Sequence, residues 1–285
     1  MEIIQAPGVG RWYPSQTDSL RSLIKGYYDS VTLPEELNAI EPVAGIAPHA
    51  GYMYCGEGNA YAYKVLSGKK IRRIIVIGPS HYRYLHGAFV PTASGYHSPL
   101  GDLKIDIQAC LDLAHHPLIS ADSRPFTQEH SVDNQIPFLQ FIQPQGFLLL
   151  PLIVGELSLS DAKVLAELLK PYLDSSDFIA VSSDFTHYGA NFQYQPFPND
   201  GRVRQNLEKL DRGVIEPILA VDAKLFDAYI VKTGATVCGR HPINLVLSLL
   251  ADMSVKSQLL HYYCSGDREK DYSLSVSYAS VLFYK

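Results

Sequence analysis

The stretch Phe178-Ile-Ala-Val-Ser-Ser-Asp184-Phe-Thr-His187-Tyr-Gly189 joins an apolar run to a cluster of titratable side chains. The run is rich in β-branched and aromatic residues, a composition typical of a strand that is buried on both faces of a sheet. Asp184 and His187 follow directly, and burying either side chain is costly unless it is paired or binds a ligand. The stretch therefore predicts a buried strand that ends at the edge of a functional site.

Two earlier stretches have the same design. An apolar run at residues 44–47 precedes His49, and a second run at residues 74–78 precedes His81. In open α/β sheets the ligand-binding crevice lies outside the carboxyl ends of the strands. We therefore expect His49, His81 and His187 to surround one crevice.

Two further segments contain reactive side chains. Cys238 precedes a glycine, and we expect Pro242 to occupy the first position of the helix that follows. His130 follows Glu129 in a segment with more hydrogen-bonding groups than a core-facing helix should have. A carboxylate beside an imidazole suits an orienting group and a proton carrier. Cys238 and His130 are therefore candidate site residues as well.

The order of apolar segments predicts the fold. An apolar run at residues 146–155 is followed by a helical pattern and then by the strand at Phe178, so that these two strands should be parallel. Residues 273–283 alternate between polar and apolar side chains, which predicts an antiparallel or edge strand with one solvated face. We predict a single α/β domain, residues 1–285, with a central mixed, mostly parallel sheet flanked by helices.

Composition and charge narrow the classes of partner. The chain has 285 residues, is 47% hydrophobic and has a net charge of -5, which suits one large core and leaves no basic stripe for nucleic acid. We see no signal-peptide pattern and no apolar run near the ~20 residues of a membrane span, so we expect a cytoplasmic protein without membrane insertion. Four widely spaced cysteines without a Cys-x-x-Cys pair are expected to be reduced thiols.

Two features flank the predicted site. Trp12 is the only tryptophan, and we predict that it is a packing anchor rather than a platform for substrate. Residues 190–201 are rich in Asn, Gln, Tyr and Pro and follow His187 directly. A long loop in this position is typical of a lid or of an element that determines substrate specificity.

Three chemistries are compatible with these residues. A mononuclear metal site would use imidazole and thiolate ligands, with open positions for catalysis. Alternatively, Cys238 would act as a nucleophile with a histidine as its base. Serine chemistry from Ser182 or Ser183 is less well supported, because the pattern Gly-x-Ser-x-Gly is missing. Spacing alone does not decide between a metal and a nucleophile, and any one of these residues would also fit a satisfied polar group at a strand end.

The segments together form five motifs in a fixed order. They are Ala47-Pro-His-Ala-Gly-Tyr52, Gly78-Pro-Ser-His81, Glu129-His-Ser131 with Gln135-Ile-Pro-Phe138, Ser182-Ser-Asp-Phe-Thr-His-Tyr-Gly189 and Cys238-Gly-Arg-His-Pro242. This set resembles the motifs of the Memo family, whose prokaryotic members are called AmmeMemoRadiSam system protein B. The resemblance implies a fold related to the class III extradiol ring-cleaving dioxygenases, which bind one ferrous iron through two histidines and a glutamate.

The resemblance also implies roles for individual residues. His49 and His81 match the two imidazole ligands of the metal. Cys238 stands where the dioxygenases have their carboxylate ligand, which is a departure from that family. His187 resembles the catalytic acid and base, with Asp184 and His130 in the same pocket. Fe(II) is the first expected metal, copper the second and zinc the third.

The resemblance implies a metal-dependent redox protein with one iron or copper ion, similar to the non-haem iron extradiol dioxygenases. The alternative is a binding protein without catalysis, in which the same pocket recognises phosphorylated or other anionic peptides through Arg240 and the histidines. The ligand would be a small molecule or a peptide. The resemblance further implies radical SAM and AmmeMemoRadiSam proteins as partners.

Overall fold

Runs of β-branched and aliphatic residues form the central strands of the protein. The computed structural model describes residues 2–285. Ile74, Ile75, Val76 and Ile77 in one such run are fully buried, as expected for a strand covered on both faces. The strands of the described chain are β1 Ile3–Gln5, β2 Pro42–Ala47, β3 Arg73–Pro79, β4 Ala88–Val90, β5 Gly95–Ser98, β6 Gly101–Ile105, β7 Ile119–Ala121, β8 Leu148–Val154, β9 Asp177–Ser182, β10 His187–Tyr188, β11 Lys256–Cys264 and β12 Ser275–Tyr284.

Helices cover the sheet and connect its strands. They are α1 Thr17–Ser30, α2 Tyr52–Lys64, α3 Ile107–Leu113, α4 His130–Asp133, α5 Ile136–Ile142, α6 Leu159–Leu169, α7 Val203–Leu219, α8 Ala223–Thr233, α9 Arg240–Leu250 and α10 Ser265–Glu269. The start of α6 has a capping box between Ser158 and Asp161, which satisfies free amide groups of the first turn. Among the helices of residues 2–285, none has the length and apolar character to cross a bilayer.

The strands form one mixed sheet. Its order is β1-β5-β6-β8-β3-β9-β2-β12-β10, with β11 on the other side of β12 and with β4 joining β7 to β8. The neighbours β8, β3, β9 and β2 are parallel, and Ile75 of β3 lies opposite Leu150 and Ile179. The predicted α/β domain with a mixed, mostly parallel sheet is therefore confirmed. The parallel relation of β8 and β9 is also confirmed, although β3 lies between them.

The antiparallel pairing predicted for residues 273–283 is confirmed, but the predicted solvated face is wrong. β12 pairs with β2 and β10 on one side and with β11 on the other, so it lies inside the sheet. Its serines are buried because their hydroxyls have partners within the fold. Ser280, for example, donates to the carbonyl of Gly58 in α2 at 2.7 Å. Serines that bond inside the fold therefore give the same alternation of polar and apolar side chains as a strand with one solvated face.

The start of α9 also differs from the prediction. The helix begins at Arg240 after Gly239, so Pro242 occupies the third helical position rather than the first. Proline is tolerated there because the first four amide groups of a helix have no partner within the helix. The earlier start brings Cys238 directly to the amino end of α9.

Candidate functional site

A pocket of about 1180 Å³ opens at the carboxyl ends of β2, β3 and β9. These parallel strands end at the same edge of the sheet, and the residues that follow them form the floor of the pocket. The predicted site residues in its lining are His49, His81, His130, Asp184 and His187. The expectation that three strand-end histidines surround one crevice is therefore confirmed.

His49 is the most deeply buried of these histidines. Its Nδ1 lies 2.7 Å from Ser182 Oγ, and its backbone amide donates to Asp184 Oδ1 at 2.8 Å. Burial and the neighbouring His81 lower the pKa of His49 well below its usual value, so the ring is neutral at pH 7. The other ring nitrogen, Nε2, lies 3.3 Å from Cys238 Sγ.

His81 is oriented by Glu129. The carboxylate accepts from His81 Nδ1 at 2.9 Å and from the His81 backbone amide at 2.6 Å. Burial raises the pKa of Glu129, but the hydrogen bonds from His81 outweigh it and hold the pKa below its usual value. An ionised carboxylate only accepts hydrogen bonds, so Nδ1 of His81 carries the proton and Nε2 has the free lone pair. The carboxylate orients His81, whereas His130 Nδ1 lies 3.4 Å from Glu129 Oε1 without a hydrogen bond.

His130 begins α4 and is held by stacking. Its ring lies 4.3 Å from the ring of Trp12, with 6° between the planes, and 4.7 Å from the ring of His81 on the other side. Its Nδ1 is buried and has no hydrogen-bond partner among residues 2–285. Burial and the neighbouring His81 lower the pKa of His130 to about 4. A neutral imidazole with an unpaired nitrogen is therefore available to a ligand.

Three imidazoles meet in this pocket. One ring nitrogen each of His49, His81 and His130 lies within 4.8 Å of the other two, a spacing compatible with one metal ion. The sequence prediction had Cys238 as the third ligand and His130 as a catalytic residue. In the structure Cys238 neighbours His49, whereas the ring of His130 neighbours both His49 and His81 and belongs to the three-imidazole group.

Cys238 has a protonated thiol in this arrangement. Burial raises the pKa of the thiol well above its usual value, and the charge of Asp184 raises it further. The backbone amide of Asp184 donates to Sγ at 3.2 Å. Since the thiolate is the nucleophilic form, these surroundings disfavour Cys238 as an activated nucleophile and favour a thiol that ionises only when a cation is bound.

Asp184 and His187 line the same pocket as His49. Burial raises the pKa of Asp184, although the nearby His187 and the amide of His49 counteract it. His187 Nδ1 lies 2.9 Å from the carbonyl oxygen of Thr236, which only accepts, so Nδ1 carries the proton. Nε2 of His187 is thereby left with a lone pair toward the pocket, as proton transfer would require.

The serine chemistry considered from sequence is not supported by the structure. Ser182 and Ser183 are both fully buried. The hydroxyl of Ser182 donates to the carbonyl of Ser131 at 2.5 Å, and that of Ser183 donates to the carbonyl of Asp184 at 2.8 Å. Within the described chain, neither residue belongs to the lining of the pocket. Both hydroxyls therefore have structural partners.

A family comparison gives the same assignment as the motifs. The model of a family described as "Memo-like protein" matches residues 5–282. The chain belongs to the Memo-like family. Protein MEMO1 of Homo sapiens is 32% identical over 288 residues, covering 97% of this chain and 95% of that protein. The protein memo-1 homolog of Caenorhabditis elegans is 31% identical over 293 residues, covering 98% of this chain and 82% of that protein.

A solved structure also shares the fold. The crystal structure of uncharacterized protein JW3007 from Escherichia coli K12 matches with a TM-score of 0.52 and 14% sequence identity, covering 83% of this chain and 98% of that one. At this identity the likeness concerns the fold alone. It agrees with the α/β architecture of this Memo-like chain.

The structure adds pocket residues that sequence reasoning did not assign to the site. Trp12 is a packing partner, as predicted, but its partner is His130 and its ring lines the pocket. Phe192 of the loop at residues 190–201 packs edge-on against His187, with 5.1 Å between the rings. The sequence predicts this loop to be a lid or an element of substrate specificity, and Phe192 is its residue in the pocket lining among residues 2–285. Only the count of one tryptophan hinted at Trp12 from sequence.

Arg240 does not contribute the positive charge expected for an anionic ligand. Its Nε donates to Asp227 at 2.8 Å, and the lining of the pocket, within residues 2–285, does not include it. The lowered pKa values of His49 and His130 also keep these rings neutral. Among residues 2–285, Arg11 is the one lysine or arginine in the lining, so it replaces Arg240 as the fixed cation for an anionic ligand.

Proposed function

We propose that this Memo-like protein is a mononuclear metal-dependent redox protein, with iron as its metal and copper as the next candidate; zinc, the third metal, would fill the site without redox chemistry. The observation that supports this proposal is the meeting of three imidazole nitrogens within 4.8 Å of one another at the floor of an open pocket. Imidazole ligands suit all of these metals. A few protein ligands with open positions are typical of catalytic rather than structural sites.

The chemistry of the donor set fits a metal ion. His49 and His81 each have Nδ1 engaged by a fixed partner, Ser182 or Glu129, which leaves Nε2 for the metal. Metal-binding histidines in proteins commonly have their second nitrogen held in this way. His130 or Cys238 would complete the set. A bound iron or copper ion would supply electron transfer and would polarise a substrate.

The remaining residues would bind substrate and move protons. His187 has its Nε2 lone pair toward the pocket and would take a proton from a bound substrate. Asp184 is buried close by and would stabilise the resulting imidazolium. Trp12 and Phe192 line the pocket and would exclude water around an apolar part of the substrate.

The finer parts of the proposal come from the sequence motifs. Their resemblance to AmmeMemoRadiSam system protein B and to the class III extradiol dioxygenases supports a redox role, a cytoplasmic location and radical SAM proteins as partners. The substrate would be a small molecule or a peptide that enters the pocket.

The metal content of the purified protein tests this proposal. We expect about one iron or copper ion per chain after purification without chelators or after anaerobic addition of Fe(II). His49→Ala and His81→Ala should lose the ion, whereas His97→Ala should retain it, because His97 is exposed and pairs with Asp102. A potentiometric titration should show reversible oxidation and reduction of the ion.

Two results would contradict the proposal. A wild-type protein that contains no metal and takes up no Fe(II) anaerobically has no metal site of this kind. A protein that binds only zinc has the site but lacks the redox function.

A further inference from the structure

Ser182 connects three segments of the site through one hydroxyl. It is the last residue of β9 and is fully buried. Its Oγ lies 2.7 Å from Nδ1 of His49, 2.9 Å from Nε2 of Gln135 and 2.5 Å from the carbonyl oxygen of Ser131. These partners belong to the segment after β2, to the start of α5 and to α4.

The direction of each of these hydrogen bonds follows from counting protons. A serine hydroxyl has one hydrogen and two lone pairs. The carbonyl of Ser131 only accepts, so it receives the hydrogen of Ser182. The lone pairs of Ser182 Oγ must then accept from His49 and from Gln135.

The orientation of the Gln135 amide supports this count. Its Nε2 also lies 2.9 Å from the carbonyl oxygen of Pro48, which requires a donor, and its Oε1 accepts from the hydroxyl of Tyr63 at 2.6 Å. A flipped amide would place two acceptors against each other at Pro48. Gln135 therefore donates to Ser182 and occupies one of its lone pairs.

We infer that Ser182 is a positioning residue that holds His49 in the tautomer with the proton on Nδ1, so that Nε2 has its lone pair toward the pocket. His81 is held in the same tautomer by an ionised carboxylate, whereas a neutral hydroxyl performs the task for His49. The importance of this tautomer for metal binding rests on the proposed function. The tautomer itself does not, because it follows from the hydrogen bonds alone.

Removal of the hydroxyl should release this constraint. In Ser182→Ala, a proton on Nδ1 of His49 would have no acceptor in a fully buried position, which is unfavourable. The ring would then place its proton on Nε2, toward Cys238 and the pocket. A protonated Nε2 does not bind a metal, so the affinity should fall by about 10–100-fold, as is typical when such an orienting partner is removed.

Nitrogen NMR of histidine-labelled, metal-free protein tests the inference directly. The His49 signals are assigned by their absence in His49→Ala. In the wild type near neutral pH we expect the pattern of a proton on Nδ1 and a free Nε2. In Ser182→Ala this pattern should be lost, and in Ser182→Thr, which retains the hydroxyl, it should return.

Ser280→Ala is a matched control. Ser280 is also a fully buried serine on a strand and donates to a backbone carbonyl, but its partner is Gly58 rather than a site residue. We expect Ser280→Ala to leave the His49 tautomer and the Fe(II) affinity unchanged. Anaerobic titration with Fe(II) should show the loss of affinity only in Ser182→Ala.

The outcomes separate this inference from the proposed function. A wild-type His49 with its proton on Nε2 contradicts the inference, and this measurement remains decisive if Ser182→Ala fails to fold. An unchanged tautomer in a folded Ser182→Ala also contradicts it. A wild type with the expected tautomer that binds no metal would overturn the proposed function and leave the role of Ser182 intact.

Discussion

Asp133 is a buried carboxylate that fixes the amino-terminal wall of the pocket. It accepts hydrogen bonds from the Gly8 amide at 2.9 Å and from the hydroxyls of Tyr13 and Tyr96. Burial raises the pKa of Asp133 to about 6, and these hydrogen bonds limit the rise. Tyr13 follows Trp12, which stacks on His130, so the carboxylate stabilises one side of the candidate site.

The raised pKa of Asp133 predicts a specific pH dependence of stability. An unfolded aspartate has a pKa of ~3.9, so the folded state binds this proton more tightly. The stabilisation is fully present below about pH 4 and is lost as the pH rises through about 6, a change of roughly 3 kcal/mol. The free energy of unfolding of the wild type, relative to that of Asp133→Asn, should fall by this amount across the interval.

Urea unfolding at a series of pH values measures this difference. Asp18→Asn serves as the control, because Asp18 is an exposed aspartate and the variant should parallel the wild type. Parallel curves for Asp133→Asn and the wild type would show that Asp133 does not titrate differently in the folded state.

At the level of single residues, the sequence predicted that the histidines lie at one site, but not which side chains form hydrogen bonds with them. His49, His81 and His187 follow apolar runs, and that pattern is local. The pairing of His81 with Glu129 and of His49 with Ser182 joins segments 48 and 133 residues apart. The sequence gives no distance between such segments, so it predicts that Glu129 orients its neighbour His130, whereas in the structure it orients His81. The unpaired nitrogen of His130 likewise depends on contacts that only the fold defines.

Among the secondary-structure elements, the contact between α4 and β3 controls the position of His130. Gly78 lies in β3 against Ser131 of α4, and a Cβ atom at Gly78 would lie 2.5 Å from the Ser131 hydroxyl oxygen and 3.1 Å from its backbone carbonyl carbon. Backbone atoms cannot move aside as a flexible side chain can. A glycine at this position therefore allows the close approach of the helix.

We expect Gly78→Ala to displace α4 and to destabilise the protein by about 1–3 kcal/mol, the usual effect of overpacking. Because Trp12 is the only tryptophan and stacks on His130, its fluorescence should change in the folded variant. Unfolding curves and emission spectra measure both effects.

Gly26→Ala provides the comparison. Gly26 lies within α1, and a Cβ atom there would meet nothing within 4 Å in the described part of the chain. This variant should be more stable by roughly 0.5–1 kcal/mol, because alanine favours helix, and its emission should not change. A Gly78→Ala protein with wild-type stability and emission would show that α4 tolerates the added atom.

For the elements, periodicity predicted the buried parallel strands and the antiparallel pairing of β12, but not the burial of both faces of β12. The uninterrupted apolar runs of β3, β8 and β9 have few alternatives to a strand buried on both faces. In β12, serines alternate with apolar residues, and the same pattern arises from a solvated face or from serines that bond within the core. Ser280 bonds to Gly58 in α2, a partner 222 residues away, so the pattern alone could not distinguish the two.

In the whole molecule, the four cysteines differ sharply in their surroundings. Cys55, Cys110 and Cys264 are buried, whereas Cys238 is partly accessible and lies beside His49, although the pocket lining within residues 2–285 does not include it. We expect iodoacetamide to modify Cys238 in the metal-free protein, slowly because burial raises the pKa of its thiol. A bound Fe(II) or Cu(I) ion should protect Cys238 and leave the other three cysteines nearly unchanged.

Mass spectrometry of peptides from timed reactions measures these rates. Cys238→Ser should lose the metal-sensitive reaction while the three buried cysteines react as in the wild type. Equal rates at Cys238 with and without saturating metal would exclude it as a ligand. The metal would then be bound by His49, His81 and His130 alone.

The whole fold was more predictable than the site because it depends on patterns that run along the chain. The apolar runs before His49, His81 and Asp184 predicted both the parallel sheet and the edge at which the site lies. The identity of the third imidazole depended instead on stacking between Trp12, His130 and His81, which brings together three distant segments. Sequence therefore predicted the location of the pocket but not its complete set of donors.

The distance in sequence between His49 and Cys238 has a consequence for biosynthesis. Their side chains are in contact although 189 residues separate them. A ribosome must therefore translate more than four fifths of the message before both side chains exist, so a metal site that includes Cys238 is complete only after most of the chain has been made. Metal insertion would consequently be a late event that follows translation, and any protein that delivers the ion would need to recognise the finished fold rather than the nascent polypeptide.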